Sequence, residues 1–260
     1  MRYFAGSALF HYLGPSFAVL LFARVDVLGV AWMRIAAAAA VFALWRRPWH
    51  EFDRVVVSLG CVLAAMNACF YLAIDRLPLA TVAAIEFIGP VVLALIGVHS
   101  LRNGAAVAVA ALGVYLLTHV QLVGDPAGVA FAFANALLFT AYIVLAHHVS
   151  RRRSVDGLAA AMLVAFVAVS PIGLDAAAHA FGDPVAIAAG IGVGVSSSVI
   201  PYVLDQKAMA RLERSTYALF VALLPAFAVI IGAVVLTQIP SGGDLAGIAL
   251  VMTAVGVHQP

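Results

Sequence analysis

The sequence consists of apolar stretches of about 20 residues that follow one another with only short connections between them. An α-helix of this length crosses the hydrocarbon core of a bilayer. Hydrophobic residues make up 65% of the 260 residues and charged residues only 10%, whereas a soluble domain carries about 25% charged residues. The chain is therefore expected to be an all-α integral membrane protein without a soluble domain between its spans.

Charged clusters and Pro/Gly turns divide the sequence into ten predicted transmembrane helices. They cover residues 4–22, 27–45, 55–74, 78–98, 104–121, 126–148, 157–175, 185–207, 216–237 and 244–258. The tripeptide GDP occurs at 124–126 and at 182–184, where Asp is expected to cap a helix and Pro to occupy its first turn. No cleavage pattern of a signal peptide follows the first apolar stretch, so the first helix is expected to be retained.

The basic residues alternate between the connections in a way that predicts an orientation. With the N-terminus inside, eleven of them are cytoplasmic: Arg2, Arg46, Arg47, Arg54, Arg102, Arg151, Arg152, Arg153, Lys207, Arg211 and Arg214. Arg24 and Arg76 are outside. Because loops rich in Lys and Arg stay in the cytoplasm, both termini are predicted to be cytoplasmic. The net charge of +2 is spread over short loops and gives no reason to expect a nucleic-acid partner.

Two segments of the chain resemble each other at a distance of 135 residues. Residues 73–97 align without gaps on 208–232, and identical residues occur at 73/208, 76/211, 77/212, 81/216, 83/218, 90/225 and 97/232. An odd number of predicted helices separates the segments, so they would cross the bilayer in opposite directions. This pattern predicts an inverted repeat of five helices, residues 1–122 and 123–260, an arrangement found in many secondary transporters. Chance similarity between two apolar helices is the alternative.

Glu86 is the charged residue that the membrane interpretation must explain. It lies eight residues after Pro78, about 12 Å into a helix about 30 Å long. A carboxylate facing lipid costs several kcal/mol, about 3 on insertion scales, so Glu86 is expected to face an internal cavity, to be protonated or to pair with a cation. Pro90 lacks an N–H group and leaves the carbonyl of Glu86 without its helical donor.

Three other prolines lie well inside predicted helices: Pro15, Pro201 and Pro225. The carbonyl groups that they leave without a helical donor belong to His11, Ser197 and Val221. Backbone groups without partners are tolerated at membrane depth only beside water, substrate or protein. A polar cavity between the first, fourth, eighth and ninth helices is therefore predicted, with simple helix kinks as the alternative for each proline.

Further polar side chains are candidates for lining this cavity. Asn67 and Tyr71 are four residues apart on the third helix, and Asn135 and Tyr142 are seven apart on the sixth, so each pair shares a helix face. Tyr202 follows three serines and Pro201 in a segment that is polar and able to bend. The alternative role for the amides and phenols is hydrogen bonding between helices.

Two further charged residues, Arg34 and Asp205, lie within predicted helices and need partners. Arg34 lies inside the second helix, where it would pair with Glu86 or Asp26 or extend its side chain to the interface. Asp205, near the inner end of the eighth helix, is expected to be interfacial and paired with Lys207 or Arg211.

Enzymatic functions find little support in the sequence. The segment GVSSS at 194–198 lacks the second glycine of a GxSxG nucleophile motif, and the aspartates lie at helix ends rather than as a membrane pair. No HExxH or CxxC spacing occurs, so neither a metal site nor a cofactor is predicted. Cys61 and Cys69 are about 12 Å apart along one helix, too far for a disulfide, and are interpreted as small core residues.

Several segments resemble a known transporter family. They are NACFYLAI followed by RLPLATVAAIEFIGPVVLALIG, and SSSVIPYVLDQKAMARLERSTYALFVALLPAFAVIIG. These resemble the paired EamA domains of the drug/metabolite transporter superfamily, and within it the threonine and homoserine exporter group, in which an EF-x-GP helix and an LPY-like turn recur. The turn here reads IPY at 200–202, and the second helix is similar to that of the family, including Arg34.

The resemblance implies ten helices in two inverted halves and export of a small polar metabolite across a bacterial cytoplasmic membrane, driven by protons or by a counter-substrate. We expect a binding site around Glu86 that is formed by His11, Asn67, Tyr71, Asn135, Tyr142 and Tyr202. Glu86 is hypothesised to exchange a proton for substrate. The alternative is a structural or sensory membrane protein without transport. The expected cargo is an amino acid or analogue of the threonine and homoserine type. Nucleosides and toxic metabolites would also fit such a cavity, and the sequence leaves the oligomeric state open.

Overall fold

The structure is a computed structural model that describes residues 2–89, 104–105, 108–109, 112–113, 116, 125–211 and 224–257. Within these ranges the chain is helical apart from short connections, and none of the described residues forms a strand. The all-α expectation is thus confirmed. Pro90, most of the predicted fifth helix and the first part of the predicted ninth lie outside the described residues.

The helices are numbered in chain order. They are α1 (Arg2–Leu21), α2 (Val27–Arg46), α3 (Arg54–Ile74), α4 (Leu79–Glu86), α5 (Pro126–Arg152), α6 (Ser154–Ala178), α7 (Pro184–Gly194), α8 (Ile200–Met209), α9 (Leu224–Leu236) and α10 (Gly242–Val257). A π-helical turn, Val195–Val199, joins α7 to α8, and a 3₁₀ turn, His179–Gly182, follows α6. Among the described residues five helical stretches are long and apolar enough to span a membrane: Val27–Arg46, Arg54–Ile74, Pro126–Arg152, Ser154–Gly182 and Pro184–Met209.

The predicted aspartate caps are confirmed at the starts of α5 and α7. The side chain of Asp125 accepts a hydrogen bond from Gly128 N at 2.9 Å. Asp183 accepts from Val185 N at 2.9 Å and from Ala186 N at 3.2 Å. A proline occupies the first turn of each helix, where its missing N–H costs no hydrogen bond.

Helices α2 and α6 pack closely along their length and run in opposite directions. At one end of the pair, Arg46 Nε lies 2.6 Å from an oxygen of Asp156. At the other end, Arg24 Nη1 lies 3.0 Å from an oxygen of Asp183. Because Arg46 ends α2 while Asp156 begins α6, the two helices are antiparallel.

Small residues allow α6 to approach its neighbours. A Cβ at Gly60 of α3 would lie 2.6 Å from the carbonyl oxygen of Ala161, and one at Gly29 of α2 would lie 2.6 Å from that of Ala176. Neither distance can accommodate a side chain, so these glycines set the helix separation.

The outward face of the bundle is apolar. Large hydrophobic side chains such as Leu44, Leu137 and Val167 are exposed, as expected of a surface that contacts lipid. Cys61 is also exposed and Cys69 is half-buried, and both thiols are free. The interpretation of both cysteines as core residues was therefore wrong for Cys61, because its face of α3 points away from the neighbouring helices.

Candidate functional site

Glu86 is buried at the end of α4 and held by two hydrogen-bond donors. Asn135 Nδ2 of α5 donates to Oε1 at 2.9 Å, and the hydroxyl of Tyr12 of α1 donates to Oε2 at 3.3 Å. The side chain is 4% exposed, so it faces the bundle interior. Among the described residues no cation lies within 4 Å of its carboxylate. The acid is thus solvated by neutral donors from two helices.

Asp205 provides a second buried carboxyl group. The hydroxyl of Ser7 donates to Oδ1 at 2.5 Å, and Nδ1 of His11 lies 3.9 Å from Oδ2. Asp205 is 2% exposed, because α1 packs against α8 and covers this carboxyl group. Ser7 and His11 are four residues apart on α1, and that shared face was the signal in the sequence.

Arg34 is buried in the centre of α2 and contacts the π-helical turn. Its Nε donates to Ser198 Oγ and its Nη2 to the carbonyl oxygen of Ser197, both at 2.7 Å. The guanidinium carbon lies 5.5 Å from the ring centroid of Tyr71 and 6.0 Å from that of Tyr202. A cation between two phenol rings is attracted by their electron-rich faces.

None of the predicted partners of Arg34 is its contact in the structure. Asp26 instead caps α2, accepting from Leu28 N at 3.0 Å, and Glu86 forms no ion pair with Arg34 within 4 Å. Nor does the side chain extend to the interface, since Arg34 is 6% exposed. The π-helical turn is the reason: it offers a hydroxyl and a free carbonyl at the depth of the guanidinium.

Pro201 explains why the carbonyl of Ser197 is available. Pro201 lies in the first turn of α8, directly after the π-helical turn Val195–Val199. In a regular helix the Ser197 carbonyl would accept from the N–H of residue 201, which proline lacks. Arg34 supplies the missing donor.

The other three prolines lie in α1, at the described start of α9 and outside the described residues. Pro15 lies within α1, which stays helical from Arg2 to Leu21. Pro225 lies in the first described turn of α9, whereas Val221 and Pro90 are outside the described residues. Near Pro90, α4 ends at Glu86.

Aromatic rings fill the space between the two carboxyl groups and Arg34. The ring of His11 makes edge contacts with Tyr12, Phe139 and Tyr202 at centroid distances of 5.9, 6.3 and 6.2 Å. Tyr142 stacks on Phe139 at 5.8 Å and contacts Tyr202 at 5.5 Å. The structure thus brings together the predicted residues of α1, α5 and α8 around the end of α4.

Asn67 and Tyr71 lie at the edge of this cluster, beside α2. Asn67 Nδ2 donates to the carbonyl oxygen of Ala31 at 2.9 Å, which is the interhelical role considered as the alternative for this amide. Tyr71 is fully buried beside Arg34. Of the two, only Tyr71 contacts a charged side chain of the cluster.

Several buried polar atoms of the cluster have no hydrogen-bond partner among the described residues. They include Nδ1 of His11, the Oδ1 atoms of Asn67 and Asn135, the hydroxyls of Tyr71 and Tyr142, and both amide atoms of the neighbouring Gln206. Such groups are costly in a protein interior and call for an explanation. Chemically, the cluster presents unused donors and acceptors, two carboxyl groups and one guanidinium to a polar solute.

Sequence reasoning missed Ser7, Tyr12, Ser198 as a ligand of Arg34, and Gln206. Tyr12 is adjacent to the predicted His11, and Gln206 is four residues after Tyr202, so helical spacing alone pointed to Gln206. No group of three or more potential metal-ligating side chains occurs within the described ranges.

Comparison with known proteins agrees with the resemblance inferred from the motifs. Residues 126–257 match the EamA-like transporter family. The threonine/homoserine exporter RhtA of Salmonella typhimurium (strain LT2) is 27% identical over 253 residues, covering 93% of this chain and 84% of the relative. RhtA of Escherichia coli (strain K12) is 28% identical over 237 residues, covering 86% and 79%.

A crystal structure of another protein has the same fold. It superimposes with a TM-score of 0.65 at 18% identity, over 96% of this chain and 93% of that chain. This likeness concerns the fold and carries no information on activity.

Proposed function

The chain belongs to the EamA-like transporter family, and from this premise we propose that it is a secondary active transporter of the bacterial cytoplasmic membrane. Its cargo is a small polar metabolite, an amino acid or analogue of the threonine and homoserine type, which it exports by alternating access. The observation that carries the proposal is Glu86, buried in an apolar bundle and held by donors from α1 and α5. The names of the curated relatives support the cargo class.

The proposed architecture has ten helices in two inverted repeats, residues 1–122 and 123–260. In this scheme α1 to α4 correspond to α5, α6, the α7–α8 stretch and α9. A repeat predicts that equivalent helices make equivalent contacts. The contact of α3 with α5 is equivalent to that of α8 with α1, and the contact of α1 with α9 is equivalent to that of α5 with α4; all four contacts occur. The antiparallel pair α2 and α6, equivalent in the scheme, also supports it.

Contacts between the two proposed halves surround the site. Asn135 binds Glu86 across the seam, and Ser198 binds Arg34 across it. Rocking of one half against the other would break these contacts on one side and let a solute replace them. The proposed substrate-binding residues remain those predicted: Glu86, His11, Asn67, Tyr71, Asn135, Tyr142 and Tyr202.

Glu86 is proposed to couple transport to protons. The hydroxyl of Tyr12, 3.3 Å from Oε2, can donate to a carboxylate and can accept from a carboxylic acid. The site can therefore hold both protonation states without losing a hydrogen bond. The proton would be released to the cytoplasm when substrate binds from that side, and a new proton would bind from outside when substrate leaves, with exchange against a counter-substrate as the other mode.

The distribution of basic residues supports an orientation with both termini in the cytoplasm. It would place the Arg46–Asp156 contact on the cytoplasmic side and the Arg24–Asp183 contact outside.

Efflux from proteoliposomes tests the proposal. The purified chain is reconstituted into liposomes loaded with labelled threonine or homoserine, and release is followed with and without an imposed pH gradient. Release is expected to be faster than from loaded liposomes without protein. The control variant Cys61→Ala, changed on the exposed face of α3, should release substrate at the wild-type rate. A deletion strain should also become sensitive to members of an amino-acid and analogue panel.

Failure of every solute in both assays would reject transport. A structural or sensory protein without transport would show no efflux and would tolerate Glu86→Leu.

A further inference from the structure

We infer that Arg34 binds a carboxylate of the transported solute, so that the site selects solutes carrying this group. The inference rests on the proposed transport function and assigns the anionic end of the substrate to one residue.

The first step is that Arg34 is a buried cation with neutral partners only. Its Nε donates to the Ser198 hydroxyl, and its Nη2 donates to the Ser197 carbonyl oxygen and, at 3.5 Å, to the hydroxyl of Tyr202. In the part of the chain that the structure describes, no carboxylate lies within 4 Å of its guanidinium. Buried charges in proteins are normally paired, and those inside membranes mark substrate or ion pathways.

The second step is that the acceptors of Arg34 are replaceable. Ser197 and Ser198 lie in the π-helical turn, and such turns are frequent at functional sites. A carboxylate can accept two parallel hydrogen bonds from a guanidinium, and this bidentate pairing adds the attraction of opposite charges, which a serine hydroxyl and a backbone carbonyl do not offer. A solute carboxylate can therefore compete with the serine contacts for the guanidinium.

The third step is that the acidic groups lie on the other side of the aromatic cluster. Tyr202 separates them, with its ring 6.0 Å from the guanidinium carbon of Arg34 and 6.2 Å from the ring of His11. His11 lies in turn beside Asp205, and Tyr12 beside Glu86. A solute with an ammonium group and a carboxylate would thus place its charges toward opposite ends of one cluster.

The test compares acids with their amides. L-threonine and L-threoninamide differ in the carboxylate, as do 3-hydroxybutyrate and its amide, which lack the ammonium group. Binding of each compound to the purified full-length chain in detergent is measured by calorimetry. We expect the wild type to bind each acid about 10- to 100-fold more tightly than its amide, the range for a charge-assisted bond.

Arg34→Gln should bind acid and amide with equal affinity while keeping the amide affinity of the wild type. Ser198→Ala is the matched control, since it removes one contact of Arg34 but leaves the charge, and it should retain the preference for acids. Arg34→Lys, which keeps the charge without the planar fork, should show an intermediate preference. This variant also serves if Arg34→Gln does not fold.

The inference is overturned if the wild type shows no preference for acids, if it binds no compound of the panel, or if Arg34→Gln or Arg34→Lys retains the full preference. Failure of the proposed function gives a different result: acids are preferred in the binding assay, but no solute leaves the proteoliposomes. Efflux of acid and amide at equal rates would sustain transport and reject the role of Arg34.

Discussion

Replacing Glu86 by Gln removes the titrating proton while leaving the site nearly unchanged in shape. The amide oxygen of Gln can keep the hydrogen bond from Asn135 Nδ2, which is 2.9 Å long in the wild type. The amide nitrogen then faces the hydroxyl of Tyr12, which can rotate from donor to acceptor. Both partners of Glu86 therefore remain satisfied in the variant.

The expected cost to stability follows from these two bonds. A hydrogen bond to a charged group contributes about 1.5–3 kcal/mol and a neutral one about 0.5–1.5 kcal/mol. Glu86→Gln should thus lower the free energy of unfolding by no more than about 2–3 kcal/mol, and by less if the acid is protonated at rest. Glu86→Leu leaves two buried donors unsatisfied at about 1–3 kcal/mol each, so it should cost about 2–6 kcal/mol.

The assay separates exchange from proton-driven efflux. Proteoliposomes with Glu86→Gln should still exchange labelled for unlabelled substrate at equal pH on both sides, because Gln resembles the protonated acid. A pH gradient should no longer drive net efflux, and exchange should lose the pH dependence that the wild type shows. Asn135→Asp is a useful companion, since it places a second acid beside Glu86 and should shift that pH dependence.

If a pH gradient drives net efflux by Glu86→Gln to the same extent as by the wild type, and with the same pH dependence, the coupling role of Glu86 is wrong. If Glu86→Leu is as stable as the wild type, the account of the buried hydrogen bonds is wrong as well.

Three further predictions concern other parts of the chain. Gly60→Ala should lower the free energy of unfolding in detergent by about 1–3 kcal/mol through overpacking, because the added Cβ would lie 2.6 Å from a carbonyl oxygen of α6. Gly192→Ala is the control, since a Cβ there would meet no neighbouring atom within 4 Å, and it should keep the wild-type stability. Equal stabilities of the two variants would contradict the close approach. Ser7→Ala should slow efflux and lower the free energy of unfolding by about 1–3 kcal/mol, because it removes a hydrogen-bond donor to Asp205. Ser7→Thr keeps the hydroxyl and should retain wild-type efflux and stability. An inactive Ser7→Thr would show that the hydroxyl is not what matters. Backbone N–H groups of α7 hold the pKa of Asp183 below its usual value. The stabilising contribution of the Asp183 carboxylate is therefore present above about pH 4 and lost as the pH falls through the lowered pKa. Asp183→Asn should flatten the acid side of a pH–stability profile measured by thermal unfolding. An unchanged profile would refute the cap.

Local features of the fold were predictable because their causes are local. The bounds of α2 and α3 agree with the prediction to within one residue, since charges and turns delimit apolar stretches of spanning length. The caps at Asp125 and Asp183 were predictable for the same reason, as Asp before Pro satisfies the first N–H groups of a helix. The free carbonyl of Ser197 follows from the covalent structure of Pro201.

The direction in which a side chain points was less predictable. Arg34 was expected beside an acid or extended to the interface, yet its guanidinium contacts the π-helical turn, and the carboxyl group of Asp205 is covered by α1. Cys61 was expected in the core and is exposed. In a chain this apolar, lipid-facing and core-facing positions have similar compositions, so the hydrophobic pattern does not distinguish them.

From its sequence alone, this protein is determined to be a bundle of membrane-spanning helices in which Glu86 cannot face lipid, because each stretch responds to water and hydrocarbon independently of the others. Which polar groups share a site was decided only by the tertiary structure. Tyr12, Asn135 and Glu86 are far apart in the chain and meet because glycine-lined helix surfaces allow close packing in one arrangement. Hydrogen bonds between helices depend on that geometry, which no single segment of the chain contains.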